Sequence, residues 1–129
     1  MRENEITGII IDCAIEVHRT LGGPGLLESV YEEALKWEIS TRGLTTETQR
    51  PVPILYKNQR LATPLRLDLV VENLVVAECK SVDKYNVIHE VQLLTYLRLT
   101  GLKVGLVLNF GHGTMKEGIH RVSNGVASL

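Results

Sequence analysis

The sequence predicts a mixed α/β sandwich (α+β in element order) in which helices cover a single β-sheet. Two segments with a helical spacing of apolar residues come first, and two short runs rich in β-branched residues follow on either side of a turn-forming pair. A third helical segment then precedes a continuous apolar run, which is typical of a buried strand reached through a crossover helix. With one further strand expected before these two runs, we predict the order helix, helix, strand, strand, strand, helix, strand.

The length and composition suit one compact domain that spans residues 1–129. The chain has 129 residues, 44% of them hydrophobic, and a formal net charge of -1. It contains no apolar run of 18 residues and does not begin like a secretion signal, so we expect a cytoplasmic protein without a membrane partner. Cys13 and Cys79 lack metal-ligand spacing and are expected to be buried thiols. With no global excess of positive charge, any contact with nucleic acid would need a local basic patch.

The first two elements are expected to be amphipathic helices at about residues 3–21 and 27–42. The segment Gly22-Gly23-Pro24-Gly25 separates them because proline cannot continue a helix, and Gly43 is expected to end the second helix. His18 lies near the end of the first helix, where packing or helix capping is the first interpretation and an active-site role the alternative. Glu28 lies in the first turn of the second helix, where an acid favours the positive helix end.

The part of the chain before the central strands is polar and contains two prolines. We expect residues 45–50 to be a polar link and residues 52–57 to be a strand with an irregular beginning, because proline removes donors from a ladder. Residues 57–60 are then expected to reverse the chain direction. The two strands of a central hairpin follow at residues 65–71 and 74–80.

After the hairpin, a third helix is expected from Asn86, a plausible N-cap, to Thr100, with Gly101 as its stop. Polar side chains at three- and four-residue spacing form a stripe on this helix that includes Gln92 and Tyr96. Residues 102–110 are expected to form the buried strand, and a short edge strand is expected near residues 119–122.

The central hairpin carries Asp68, Glu78 and Lys80 in otherwise apolar strands. A two-residue turn at Glu72-Asn73 would pair Asp68 with Ala77 and turn Asp68 away from the other two groups. We predict instead a three-residue turn over residues 71–73, which pairs Val70 with Leu74 and Asp68 with Val76, or a bulge with the same effect. The reason is that three ionisable groups inside a sheet are costly unless they are paired or hold a cation.

Gathered on one face, these three groups have the chemistry of a hydrolytic metal site. Carboxylate oxygens are the ligands that Mg2+ and Mn2+ prefer, and Asp68 with Glu78 would supply two of them. A bound metal lowers the pKa of a water ligand and neutralises charge on a phosphate, while Lys80 would orient the water. The alternative is a structural ion pair of Lys80 with one of the acids and no metal, and both interpretations fit these residues.

Several motifs resemble those of the GxxExxY proteins, a branch of the PD-(D/E)xK nuclease-like superfamily. The segment Gly25-Leu26-Leu27-Glu28-Ser29-Val30-Tyr31 is similar to the signature of that branch, and the likeness extends over nearly the whole chain. The resemblance implies a restriction-endonuclease-like core with the order helix-strand-strand-strand-helix-strand and an extra N-terminal helix. Leu67 stands where the superfamily's name has proline. By this resemblance Asp68 matches the acid, and Glu78 with Lys80 match the ExK triplet.

The same resemblance extends to the helices. Glu28 is similar to the helix-borne acid of the RecB-type exonuclease branch, Gln92 and Tyr96 are similar to its QxxxY motif, and His18 matches a position typical of the family. The implied activity is that of a metal-dependent nuclease with Mg2+ or Mn2+ held by Asp68, Glu78, the Cys79 main-chain carbonyl and Glu28. Lys80 would assist the attacking water, and the implied substrate-positioning residues are Gln92, Tyr96 and His18.

The implied partner is nucleic acid, with DNA favoured over RNA, and pairing into a homodimer is left open. The alternative from another class is a catalytically silent module that binds nucleic acid or protein on the same fold. The short chain, the few aromatic residues and the lack of a strong basic surface favour that alternative.

Overall fold

A five-stranded mixed sheet with helices on both faces forms the centre of the molecule. The computed structural model describes residues 2–63 and 65–125. The sheet order is β1-β4-β5-β6-β7, in which β5 and β6 are parallel and the other neighbours antiparallel. The elements are, in chain order, α1 (Arg2–Thr20), α2 (Glu28–Thr41), β1 (Thr46–Val52), β2 (Leu55–Tyr56), β3 (Gln59–Arg60), β4 (Leu65–Val71), β5 (Val75–Lys80), α3 (Ile88–Thr100), β6 (Val104–Asn109) and β7 (Ile119–Ser123).

Two apolar layers separate the helices from the sheet. On one face, Tyr31 and Leu35 of α2 and residues of α1 pack with Ala77 and Leu106 of the sheet. On the other face, Leu93 and Leu97 of α3 pack with sheet residues that include Val70, Val76 and Val107. The α3 crossover makes the parallel pairing of β5 with β6 possible, so the predicted mixed α/β class is confirmed. Among the described residues, each helix is too short or too polar to cross a bilayer.

The helix ends follow the local signals of the sequence. Asn86 accepts a hydrogen bond from the Ile88 main-chain N–H at 2.9 Å, so its side chain satisfies a donor at the start of α3. Gly101 adopts a φ of 76° and donates its N–H to the Leu97 carbonyl, which is the predicted left-handed stop. Gly43 likewise follows α2 with a φ of 83°.

The segment before the central strands differs from the prediction. Residues 45–50 were expected to be a polar link, but Thr46–Val52 form the edge strand β1, antiparallel to β4. Half-buried and exposed side chains alternate along β1, and most of them are polar. Main-chain bonds to β4, rather than burial of apolar side chains, therefore hold this strand in place. The continuous strand expected over residues 52–57 is wrong. Val52 ends β1, and the chain then forms the separate hairpin β2–β3.

The turn between β4 and β5 also differs from the prediction. Glu72 and Asn73, each with a φ of 54°, form a two-residue turn closed by the Leu74 N–H on the Val71 carbonyl at 3.0 Å. Leu74 is an extra residue, so Val71 pairs with Val75. The predicted pairing of Val70 with Leu74 is therefore wrong, since Val70 pairs with Val76. The observed register differs from the predicted one by two residues, and side chains two residues apart lie on the same face of a strand. Asp68 and Glu78 therefore still share a face, as the predicted bulge alternative requires.

Candidate functional site

The strands β4 and β5 separate at one end of their ladder, and two carboxyl groups fill the gap. The last main-chain pair on this side is Leu69–Ala77, and the next step of the register brings Asp68 opposite Glu78. There the Asp68 N–H donates to Glu78 Oε2 at 2.9 Å, and the Cys79 N–H donates to Asp68 Oδ2 at 3.1 Å. Side-chain oxygens thus replace main-chain carbonyls as acceptors, and they hold the two carboxyl groups side by side.

Burial makes this pair unfavourable in its fully charged form. Glu78 is 7% exposed, and burial, reinforced by the charge of Asp68, raises the pKa of Glu78 to about 8. Burial also raises the pKa of Asp68, while the Cys79 N–H, the Lys80 charge and the Gln49 side chain oppose that shift. A cation between the two oxygen-rich groups would favour their charged forms. The donor set therefore fits a hard divalent cation.

Lys80 lies on the same face of β5 as Glu78 because the two residues are two positions apart in a strand. Its charge lowers the pKa of both Asp68 and Glu78, so it favours the charged forms of the pair. In the part of the chain that the structure describes, however, no ion pair within 4.0 Å includes Lys80. The direct ion pair of the alternative interpretation is thus not formed.

Two acids of α2 border the same site. Glu28 is the first residue of α2, and its charge raises the pKa of Asp68. Glu32, one helical turn later and half-buried, faces the same way, and burial, with smaller contributions from Asp68 and Glu28, raises the pKa of Glu32. The sequence analysis missed Glu32, although its four-residue spacing from Glu28 was a usable signal.

Gln49 is a second residue that the sequence analysis missed. The β1–β4 register has the pairs Thr48–Leu69 and Arg50–Leu67 but skips the pair Gln49–Asp68, and Gln49 has a φ of 51°. Its Nε2 donates to the Glu32 carboxylate at 3.2 and 3.4 Å, and hydrogen bonding from the same side chain lowers the pKa of Asp68. The Gln49 amide therefore bonds the acid of α2 and also influences the pKa of the acid of β4.

The third helix packs on the face of the sheet that Val76 and Glu78 share, opposite the face of α2. Tyr96 is half-buried, and burial, followed by the charges of Glu78 and Asp68, raises the pKa of Tyr96. Gln92 lies one helical turn earlier with an exposed side chain. Of the two residues of the predicted stripe, Tyr96 is therefore the one whose electrostatics involve the carboxyl pair.

His18 lies in a separate packing cluster. Its Nε2 is 2.9 Å from the His112 carbonyl, and its ring stacks on Phe110 with the centroids 6.3 Å apart. Phe110 also stacks on Tyr31 at 4.5 Å, and the Tyr31 hydroxyl donates to the Gly23 carbonyl at 2.8 Å. These contacts fix the glycine-rich loop between α1 and α2. None of the described hydrogen bonds or ring contacts joins His18 to the carboxyl pair.

The chain after Lys80 is held in place by Asn109. This buried side chain accepts the N–H groups of Val82 and Gly111, each at 3.0 Å, and donates to the Val82 carbonyl at 3.0 Å. The Phe110 N–H also donates to the Lys80 carbonyl at 2.8 Å. Asn109 is a polar residue at the end of an otherwise apolar strand, and this position could have indicated its structural role from the sequence.

The side chains alone do not complete a metal coordination shell. Within the described residues, no three His, Cys, Asp or Glu side chains come together in a set that could hold a metal ion. A bound cation would need the Asp68 and Glu78 carboxylates together with other oxygens, such as the Cys79 main-chain carbonyl and water. Magnesium sites often have this form, with one or two carboxylates and several waters.

The three helices, the mixed sheet and the carboxyl pair beside a lysine define an α/β protein of restriction-endonuclease-like fold. The sequence model of the PD-(D/E)XK nuclease superfamily matches residues 4–122, and the chain belongs to this superfamily. Nucleases of this superfamily generally use divalent metals. Comparisons with curated proteins and with solved structures gave no match.

Proposed function

We propose that this protein is a metal-dependent nuclease that hydrolyses phosphodiester bonds. The observation that carries the proposal is the pair of the half-buried Asp68 and the buried Glu78, which shares a strand face with Lys80 where β4 and β5 separate. A pair of buried carboxyl groups is costly for a fold and is commonly found where function requires it. Membership of a nuclease superfamily supports the same conclusion.

The roles of the residues follow from their positions. Asp68, Glu78 and the Cys79 carbonyl would hold Mg2+ or Mn2+, with Glu28 at the border of the site. The metal, when bound, supplies an acidic water and positive charge that stabilises the phosphate in the transition state. Lys80 would orient the attacking water and stabilise negative charge on the phosphate. Tyr96 and Gln92 would position the substrate from α3, and His18 would support the glycine-rich loop on which the helix of Glu28 begins.

We assign the chain to the GxxExxY branch and to a RecB-type arrangement of site residues. The segment of residues 25–31 supports the first assignment, and Gln92 with Tyr96 on one stripe of α3 supports the second. The proposed substrate is DNA rather than RNA, the proposed location is the cytoplasm, and residues 1–129 would form a single nuclease domain that is able to act as a homodimer.

The test compares Asp68→Asn with the matched control Asp83→Asn, an exposed acid in the loop after β5. The wild-type protein and the control should nick plasmid or single-stranded DNA with Mg2+ or Mn2+, and Asp68→Asn should lose about 100-fold or more of that activity. Mn2+ should raise the melting temperature of the wild-type protein but not of Asp68→Asn. The Asn side chain still accepts the Cys79 N–H bond, so the variant should keep its fold by circular dichroism.

Two results would contradict the proposal. One is equal cleavage by Asp68→Asn and Asp83→Asn. The other is a wild-type protein that neither cleaves DNA nor gains stability with Mn2+ over a broad concentration range, which would favour the catalytically silent binding module.

A further inference from the structure

Positive charge is concentrated in the segment that joins β1 to β4. Residues 50–67 contain Arg50, Lys57, Arg60 and Arg66 and no Asp or Glu. Because the whole chain has a net charge of -1, the residues outside this segment carry a net negative charge. The protein therefore has a local basic surface despite its near-neutral total charge, and such a surface is the electrostatic feature expected of a nucleic-acid-binding protein.

Three of these four cations are available to an anionic partner. Arg50 is already occupied, since its Nε donates to Glu47 at 2.9 Å and its guanidinium also contacts Asn73. Lys57, Arg60 and Arg66 are exposed. None of them takes part in an ion pair within residues 2–63 and 65–125.

The hairpin β2–β3 presents these charges together with an exposed aromatic ring. Tyr56 pairs with Gln59, and the turn residues Lys57 and Asn58 have φ values of 49° and 67°. A lysine rarely adopts this left-handed conformation, so its presence at the tip is not explained by turn preference. The Lys57 Nζ lies 5.5 Å from the centre of the Tyr56 ring, and 59% of Tyr56 is exposed.

The core does not account for the side chains of this hairpin. Leu55 is 67% exposed and every residue from 55 to 61 is exposed. Exposed aromatic rings interleaved with cations are what proteins use to bind single-stranded nucleic acid, because the ring stacks on a base and the cations contact phosphates.

The hairpin lies close to the carboxyl pair. Val52 pairs with Leu65 at the end of the β1–β4 ladder, directly before the hairpin, and Arg66 follows on β4. Asp68 is three residues beyond Leu65, which is about 10 Å along a strand at 3.3 Å per residue. At about 3.4 Å of axial length per nucleotide, a strand with its reacting phosphate at Asp68 would reach the hairpin within about three nucleotides.

We propose that the β2–β3 hairpin binds the single-stranded DNA that flanks the phosphate to be cleaved. Lys57, Arg60 and Arg66 contact the phosphates, and Tyr56 stacks on a base. The inference rests on the proposed nuclease function, and it adds the form of the substrate and the surface that recognises it. Contacts with phosphates and ring faces carry no base-edge information, so binding should be insensitive to sequence.

The test measures binding without cleavage. Fluorescence anisotropy of a labelled single-stranded oligonucleotide would be recorded in EDTA with the full chain. The double variant Lys57→Gln/Arg60→Gln should bind about 10-fold more weakly, and the slope of log affinity against log salt should fall by about 1.4 for two lost phosphate contacts. Tyr56→Ala should weaken binding by about 10-fold with an unchanged salt slope. The matched control is Lys103→Gln/Lys116→Gln, which removes two exposed lysines outside the basic segment.

The outcomes separate this inference from the proposed nuclease function. Binding by the double variant that equals binding by the control, at any salt concentration, overturns the inference even if the wild-type protein cleaves DNA. So does a wild-type protein that does not bind the oligonucleotide. Hairpin-dependent binding without metal-dependent cleavage would instead contradict the nuclease function alone. In the supported case, the double variant also raises the KM of cleavage and leaves kcat unchanged, whereas Asp68→Asn lowers cleavage by about 100-fold or more and keeps binding.

Discussion

Glu78 shows how a single side chain couples the site to the stability of the fold. Its carboxyl group is buried and faces Asp68, and both conditions disfavour its charged form. The surrounding charges are those of Asp68, Glu32 and Lys80, with Glu28 and the Tyr96 hydroxyl farther along the same site. Only Lys80 among them is positive. The fold therefore holds a proton on Glu78 that the unfolded chain releases.

The stability of the metal-free protein should consequently decrease as the pH rises. The pKa of Glu78 is raised from its ordinary value of 4.5 to about 8, so the folded state binds the proton more tightly between these values and rising pH favours unfolding. Urea unfolding in EDTA from pH 5 to pH 9 would measure the decrease. Glu78→Gln should flatten the profile, and Mn2+ at pH 8 should restore stability to the wild-type protein. Identical profiles for the wild-type protein and Glu78→Gln would contradict this explanation.

At the scale of single elements, the edge strand β1 combines a structural and a site role. Its regular pairing with β4 is interrupted at Gln49, where the backbone takes a left-handed conformation and the side chain donates to Glu32 and lowers the pKa of Asp68. A non-glycine residue with positive φ inside a strand is unfavourable and often marks a functional position. At this interruption, β1 therefore contributes a side chain that interacts with Glu32 and Asp68.

The two roles of Gln49 are separable by substitution. Gln49→Gly accommodates the backbone without strain but removes the amide, so stability should be kept while the affinity for Mn2+ falls by about 10-fold or more. Gln49→Ala should lose the same affinity and also be about 1 kcal/mol less stable than Gln49→Gly. Calorimetric titration with Mn2+ and urea unfolding would measure the two effects. Unchanged Mn2+ affinity in Gln49→Gly would show that the amide does not support the site.

Elements with strong apolar patterns were predictable, and those held by main-chain bonds alone were not. Apolar runs rich in β-branched residues on either side of a turn-forming pair identified β4 and β5, and glycine and asparagine signals identified the ends of α3. In contrast, β1 is a polar edge strand, and its pairing with β4 follows from tertiary structure rather than from its own composition. The exact turn between β4 and β5 was also not predictable. It needs a positive φ at both Glu72 and Asn73, and only asparagine is a residue type that favours this conformation.

The residues of the candidate site divide in the same way into those that a local sequence pattern relates and those that only tertiary structure brings together. Asp68, Glu78 and Lys80 were predictable because strand alternation relates residues within one hairpin. Glu32 and Gln49 come from two other elements, and only the packing of α2 and β1 against β4 brings them to Asp68. Asn109 likewise gains its role through a neighbouring loop.

For the molecule as a whole, the segments that follow β5 and β6 are in close backbone contact. A Cβ atom at Gly111 would lie 2.1 Å from the Val82 carbonyl oxygen, and one at Gly118 would lie 2.0 Å from the Asn109 carbonyl oxygen. Neither position leaves room for a side chain. The residues around Asn109 therefore fix the position of the loop that follows Lys80 relative to the sheet.

Gly111→Ala should destabilise the protein by about 2–3 kcal/mol or more, because the backbone of Val82 must move to relieve the overlap. The matched control is Gly113→Ala, two residues later, where a Cβ atom would meet nothing within 4 Å. Urea unfolding would measure both variants. The Mn2+-dependent rise in melting temperature should also shrink in Gly111→Ala, since the displaced loop follows Lys80 directly. Equal stability of the two variants would contradict the locked arrangement.

The insertion of β2–β3 between two paired strands separates the proposed DNA-binding hairpin from the proposed catalytic site. Because β1 and β4 already meet at Val52 and Leu65, the intervening residues are free to vary in length and character without disturbing the sheet. Replacing this surface loop should therefore change the proposed recognition surface while the carboxyl pair stays in place.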